Sequence, residues 1–66
     1  MVSAHEVKAL AFRASAAQAR ERAAATPLPM VREREERAAV RWDALARFED
    51  DYIQAARDRS HALAPA

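Results

Sequence analysis

The sequence has no cysteine and no glycine, few aromatic residues and no long apolar run. Without cysteine, neither a disulfide framework nor a cysteine-based zinc site can stabilise the chain. Without glycine, there is no glycine-rich loop of the kind that cradles phosphate groups. The longest uncharged stretch, residues 23–31, contains two prolines and is far shorter than the roughly 20 apolar residues of a membrane-spanning helix. Since no secretory signal pattern is visible either, we expect a cytoplasmic protein without a membrane span.

What the sequence does contain is alanine, arginine and glutamate. Alanine alone accounts for 19 of the 66 residues, and all three residue types are good helix formers. The β-branched and aromatic residues that favour strands are sparse. A chain of this length forms one domain at most, so the composition predicts a single all-α domain.

The charges are nearly balanced, with 11 basic and 10 acidic residues and a net charge of +1. Nucleic-acid-binding modules usually carry a larger and clustered positive excess. Here acidic residues alternate with arginine between residues 32 and 37, which is typical of an ion-paired helix surface. We therefore do not expect a nucleic acid partner. A small Arg-rich nucleic-acid-associated or regulatory protein stays the alternative, because five arginines lie close together in the sequence. They are Arg32, Arg34, Arg37, Arg41 and Arg47.

Two helices and a proline-containing turn follow from the local signals. Ser3 and Glu6 fit a capping box that starts a helix, and Thr26-Pro27 ends it. The sequence predicts helix 1 at residues 4–25, a turn at 26–29, helix 2 at 30–60 and a tail at 61–66. The short turn makes the two helices antiparallel neighbours. The fold class is therefore an antiparallel helical hairpin in which the end of the longer second helix, carrying Ile53 and Ala56, extends beyond the first.

Helix 1 carries apolar residues on two nearly opposite stripes. One stripe contains Val7, Leu10 and Ala14, and we expect it to face helix 2. The other contains Phe12, Ala16 and Ala19, and it favours a contact with a second neighbour. Exposed alanine can also be simple helix filler, so both interpretations of the second stripe stay open.

Helix 2 has a heptad-like seam of apolar residues with two polar interruptions, Glu35 and Glu49. These glutamates are interpreted as register-setting residues paired with arginine, or as edge positions that reach solvent. Together with helix 1 the seam predicts the intramolecular core. Its residues are Val7, Leu10, Ala14, Val31, Ala38, Trp42, Leu45 and Tyr52.

Two alanine-rich helices bury little surface, and small domains are correspondingly marginal. We therefore expect the hairpin to associate into a four-helix bundle, as a homo-oligomer such as a dimer, or to dock on a larger protein partner. The apolar residues left outside the core are the candidate partner interface. They are Phe12, Ala16, Ala19, Met30, Val40, Phe48, Ile53 and Ala56.

No pattern of catalytic or metal-binding residues stands out. His5 and His61 are the only histidines. Asp58 and His61 have a spacing that places two ligands on one helix face, but no second Glu-x-x-His element completes a di-iron site. Serine and threonine have no companion histidine in a suitable context. We expect a non-enzymatic protein with no catalytic residue, no metal and no cofactor.

The segment from Pro29 to Arg34, followed by Arg37-Ala38-Ala39, Trp42 and Leu45-Ala46, carries a family resemblance. It resembles a group of short, uncharacterised bacterial proteins that share an Ala/Arg-rich helix, a proline-marked turn and a second helix with a tryptophan. The resemblance covers roughly residues 8 to 48. It implies a helical hairpin of bacterial cytoplasmic origin, and it implies no activity or functional residues.

Overall fold

The structure of the protein is a computed structural model, which describes residues 2–62. Within these residues the chain forms two α-helices and no strand, α1 at Ala4–Ala25 and α2 at Pro29–Ala62. The helices lie side by side and antiparallel, joined by a three-residue turn. The predicted all-α helical hairpin is confirmed.

Local sequence signals set the helix ends. The Ser3 side chain accepts a hydrogen bond from the Glu6 amide at 3.2 Å, which caps the first residues of α1. Thr26 is extended because Pro27 disfavours the helical conformation in the residue before it. The Thr26 hydroxyl then accepts a hydrogen bond from the Leu28 amide at 3.2 Å. Pro29 opens α2, where its fixed φ angle suits the first helical position.

The bounds of α1 are those predicted, whereas α2 is longer than predicted at both ends. It begins one residue earlier, at Pro29, and continues to Ala62. His61 and Ala62, predicted to lie in the tail, therefore belong to the helix. The remainder of the predicted tail, residues 63–66, lies outside the described residues.

The contact between the helices is made chiefly by alanine. No larger side chain is completely buried within residues 2–62. Because alanine projects only a methyl group, the two helix axes can approach closely and the backbones themselves pack together. We call this contact the alanine seam. Its buried residues are Ala9, Ala16, Ala19, Ala23, Ala39 and Ala46.

The predicted core face of α1 is wrong. Val7 and Leu10 are 57% and 65% exposed, and Ala14 is exposed as well. The opposite stripe packs on α2 instead, so Phe12, half-buried, and the buried Ala16 lie inside the hairpin. That stripe repeats at strict alternating steps of three and four residues, from Ala9 through to Ala23, which keeps four alanines and the ring of Phe12 on the face towards α2. Ala19 shares this stripe, and both Ala16 and Ala19 are buried by α2, so these two are wrong as partner-contact residues, whereas Phe12 is half-buried against Trp42.

The residues of α2 that face α1 differ from the predicted seam at every second position, where the inward residue is the next one along the chain. Leu45 and Tyr52 are 45% and 49% exposed rather than buried. Val31, Ala38 and Trp42 are half-buried, at the edge of the contact. The residues that turn inwards in place of the predicted ones are Ala39, Ala46 and Ile53. Small residues occupy the closest positions because the approach of α1 leaves no room there for a leucine or a tyrosine.

The one large apolar contact across the seam joins Phe12 and Trp42. Their rings are stacked with centroids 5.9 Å apart and an interplanar angle of 23°. Trp42 and Ala38 also pack against the buried cluster of Ala16, Ala19 and Ala39. This middle part of the hairpin is therefore the nearest equivalent of a hydrophobic core.

The end of α2 extends less far beyond α1 than predicted. Ile53 and Ala56 are half-buried, and Arg57 reaches back to Glu6 with 3.5 Å between the guanidinium and the carboxylate. Ser60 still lines one depression together with His5 and Glu6 of α1. The hairpin measures 59 × 19 × 13 Å, which is a thin rod.

Candidate interaction surface

One long side of the hairpin carries a ladder of ion pairs between α1 and α2, which we call the ladder side. Its pairs are Glu6–Arg57, Arg13–Asp50 and Arg20–Asp43. The members are seven residues apart on each helix. This heptad spacing returns each charged residue to the same flank of the seam, where it meets its partner on the other helix. Acidic and basic groups on this side therefore satisfy each other.

The Arg20–Asp43 pair shows how these groups affect one another. The guanidinium and the carboxylate are 2.5 Å apart. The hydrogen bond from Arg20 lowers the pKa of Asp43, and burial opposes this only in part. The same hydrogen bond raises the pKa of Arg20. Because both groups are solvent-exposed, such a pair contributes little to stability, and its main effect is on helix register.

The opposite flank of α2 is apolar and is covered by α1 only along one edge, where Trp42 stacks on Phe12 and Tyr52 packs against His5. Leu45 and Tyr52 each lie two residues after a ladder aspartate, Asp43 and Asp50, which corresponds to about 200° around the helix axis. They are joined on this flank by Phe48, which is 71% exposed. We call this surface the apolar strip. Its residues are Ala38, Trp42, Leu45, Phe48 and Tyr52.

The apolar strip is continuous with a basic segment towards the turn. Ala38, Trp42 and Leu45 line one shallow depression together with Arg41. Arg41 also lines the neighbouring depression, which holds Arg34 and Arg37. Among residues 2–62, Arg34 and Arg41 take part in none of the ion pairs. Arg37 lies 4.0 Å from the Glu33 carboxylate, and its Nε donates a hydrogen bond of 3.4 Å to the Glu33 carbonyl. This flank therefore combines exposed apolar side chains with arginines whose charges are mostly left unpaired by the hairpin itself.

The two glutamates predicted in the seam have different partners. Glu35 accepts a hydrogen bond from Arg22 at 3.1 Å, so the predicted pairing with arginine is confirmed for this residue. Glu49 instead meets His5, with 2.5 Å between Oε2 and Nδ1, and its side chain is only 13% exposed. No local sequence signal indicates this pair, because 44 residues separate its members.

His5 also packs against Tyr52, with ring centroids 4.0 Å apart and an angle of 31°. Together with Glu49 this contact fastens the first turn of α1 to the middle of α2. Within the described residues, no three side chains of the histidine, cysteine, aspartate or glutamate type are grouped to hold a metal ion. The cluster is therefore best described as a polar contact between the helices.

The predicted partner interface is divided by the fold. Three of its residues lie inside the hairpin and two are half-buried at the seam, as described above. Met30, Val40 and Phe48 are exposed. Of these, Phe48 lies on the apolar strip, Met30 lies beside Arg34 at the basic segment, and Val40 lies next to Glu33 and Glu36. Leu45 and Tyr52, which were predicted to belong to the core, also lie on the apolar strip.

Comparisons with protein-family models, with curated proteins and with solved structures give no match for this chain. Over the described residues, neither helix is long and apolar enough to cross a membrane.

Proposed function

We propose that the protein is a non-enzymatic protein–protein interaction module, a helical hairpin that associates with itself or serves as a small accessory subunit of a larger complex. The observation that carries this proposal is the distribution of apolar side chains. The interior is lined by alanine, while Leu45, Phe48 and Tyr52 lie exposed along one flank. The resemblance to short bacterial proteins implies a bacterial cytoplasmic setting, which is part of the proposal.

The energetics support association. A buried alanine contributes one methyl group, whereas burial of a leucine or phenylalanine side chain stabilises by about 1.5–3 kcal/mol. The large side chains of Leu45, Phe48 and Tyr52 are left exposed by the hairpin, so a partner that covers them would add this stabilisation. An uncovered apolar strip on a helix is also the arrangement by which helices dock into grooves and bundles.

Sedimentation equilibrium tests self-association. We expect the unmodified protein to form a dimer or a larger oligomer at micromolar concentration. Phe48→Glu should shift it towards the monomer with the hairpin intact, because Phe48 is largely exposed within the hairpin. Val40→Glu is the matched control, since Val40 is also apolar and exposed but lies off the strip. A stably folded monomer at this concentration would contradict self-association.

A second candidate function is binding to nucleic acid. It is favoured by Arg34 and Arg41, which have no ion-pair partner in residues 2–62, and by the half-buried ring of Trp42 beside Arg41. Unpaired arginines bind phosphates, and exposed aromatic rings can stack on bases. A mobility shift in about 50 mM salt that weakens at higher salt would support it. The double variant Arg34→Gln/Arg41→Gln should then abolish the shift, and the absence of any shift would exclude this function.

A further inference from the structure

We infer that the partner of the apolar strip is the same strip of a second copy, with the two α2 helices antiparallel and Leu45 on the two-fold axis. This inference rests on the self-association proposed above and adds the surface, the direction and the register. Each α1 lies beside this contact, because Trp42 and Tyr52 of the strip also touch α1.

The position of Leu45 within α2 is the first argument. The helix spans Pro29–Ala62, so its midpoint lies between Leu45 and Ala46. An antiparallel pair centred there overlaps along the whole length of α2. Any other centre would leave part of both helices without a neighbour and would bury less apolar surface.

The side chains of the strip are complementary to themselves in this register. Trp42 and Phe48 lie three residues on either side of Leu45, so the tryptophan of each copy lies level with the phenylalanine of the other along the pair. Ala38 and Tyr52 lie seven residues on either side, so a small residue faces a large one. Aromatic pairs add stability beyond the area that they bury, and alternation of small and large side chains fills a close helix contact.

Charge selects the antiparallel direction. In a parallel pair, Arg34 and Arg41 of one copy would face the same arginines of the other, and like charges repel. In the antiparallel pair, Arg41 lies opposite Glu49, since the two are four residues on either side of Leu45. Glu49 uses Oε2 for His5, which leaves Oε1 to accept a hydrogen bond from the arginine of the second copy.

The ladder side cannot form this contact equally well. Its charged groups already pair within one hairpin, and burying them against another protein would cost desolvation free energy without new partners. The five residues of the apolar strip carry no charge, so their burial does not incur this cost. Association through the strip also covers three of the largest exposed apolar side chains in one step.

Because the chain contains no cysteine, single cysteine substitutions can test this geometry directly. A disulfide requires Cα atoms about 4.4–6.8 Å apart, which only residues facing each other satisfy. On oxidation, Leu45→Cys should give a covalent dimer. Ala38→Cys and Tyr52→Cys should each stay monomeric on a denaturing gel, because two copies of either residue are 14 positions apart along the pair, about 21 Å.

A mixture of Ala38→Cys and Tyr52→Cys should give the mixed disulfide, and Val40→Cys is the control that should give none. This mixture decides the question independently if Leu45→Cys does not fold, which circular dichroism of each variant will reveal. Efficient linking of Ala38→Cys to itself would show a parallel pair and overturn the inference. Failure of both the Leu45→Cys and the mixed disulfide, while sedimentation still shows a dimer, would overturn the geometry and leave self-association standing. A folded monomer in sedimentation would overturn both.

Discussion

At the scale of single residues, the hairpin depends on how small alanine is. Ala16, Ala19 and Ala39 are almost completely buried and pack against each other. At such positions the side chain contributes little burial of its own, and its value lies in allowing the backbones to approach. Alanine therefore has different roles on the two faces of α1. Ala19 allows the close approach of α2, whereas Ala17 on the other face is exposed to solvent.

This difference predicts unequal effects of the same substitution. Ala19→Leu should destabilise the hairpin by about 1–3 kcal/mol, because the larger side chain must separate the helices. Ala17→Leu, at an exposed position of the same helix, should change stability by less than about 0.5 kcal/mol. Urea unfolding followed by circular dichroism measures both. Equal effects would mean that the stripe facing α2 is misassigned.

The stacked rings of Phe12 and Trp42 predict a second effect at this scale. A double-mutant cycle with Phe12→Ala and Trp42→Ala should give a coupling free energy of about 0.5–1.5 kcal/mol, typical of an aromatic pair. The free energies come from the same urea unfolding experiment. A parallel cycle between Phe12 and Phe48, which lie on different faces, serves as the control and should show additive effects.

At the scale of the elements, the small side chains of the alanine seam do little to fix the register of α1 along α2. The ion pairs of the ladder side fix this register. Two of its pairs have the arginine on α1, whereas Glu6–Arg57 has the acid there. A slide by one heptad would set Arg13 against Arg57 in one direction, or Glu6 against Asp50 in the other. Both slides create like-charge contacts, so the reversed pair holds the helices in one alignment.

Charge reversal of the Arg20–Asp43 pair tests whether the ion pairs of the ladder side contribute to the alignment of the helices. Arg20→Glu should lower the thermal midpoint of unfolding, because the new carboxylate would oppose that of Asp43. Adding Asp43→Arg should recover most of the loss, since the pair is restored with its members exchanged. Arg34→Glu, at a position without an ion-pair partner in residues 2–62, is the control and should need no compensating change. A double variant as unstable as Arg20→Glu alone would contradict a direct pair.

The lowered pKa of Asp43 predicts a pH dependence. A carboxyl group with a pKa lower in the folded state binds more protons when unfolded, so its stabilising effect is present above the unfolded pKa. That effect is lost as the pH falls through the folded pKa. The stability difference between the unmodified protein and Asp43→Asn should therefore shrink as the pH is lowered from about 7 towards about 2. In an Arg20→Gln background this pH dependence should be weaker, and an unchanged profile would mean that Arg20 is not the main cause.

The bounds of α1 were predictable because their causes are local. Ser3 and Pro27 act on residues within one turn of themselves, and both ends of the helix follow from them. The stripe of α1 that packs on α2 was not predictable in the same way, because α1 has two apolar stripes. The larger side chains of Val7 and Leu10 favoured the wrong one. Both stripes have the same heptad spacing, and the signal that distinguishes them is that Glu21 interrupts the stripe of Val7 and Leu10, whereas the alanine stripe continues without a charge to Ala23. The contact between His5 and Glu49 could not be predicted from the sequence, because it depends on knowing which face of α1 packs on α2.

At the scale of the whole molecule, the rod has one side where charges are paired and one where apolar and basic groups lie uncovered. The antiparallel arrangement inferred above lays one rod along another with their centres aligned. Small-angle X-ray scattering should then show a doubled mass and a maximum dimension close to the 59 Å of one hairpin. An end-to-end or staggered dimer would instead be clearly longer. Phe48→Glu, as the monomeric control, should halve the mass and leave the length unchanged.

The three-residue turn between α1 and α2 also has a consequence for time scales. Contacts near the turn join residues close in sequence, and helical proteins rich in such contacts fold within microseconds to milliseconds. Two proteins that must meet in a specific orientation associate at about 10⁵–10⁷ M⁻¹s⁻¹, which at micromolar concentration takes about a tenth of a second or longer. Each hairpin therefore closes long before it meets another copy, and the rate of assembly should follow the protein concentration rather than the rate of folding.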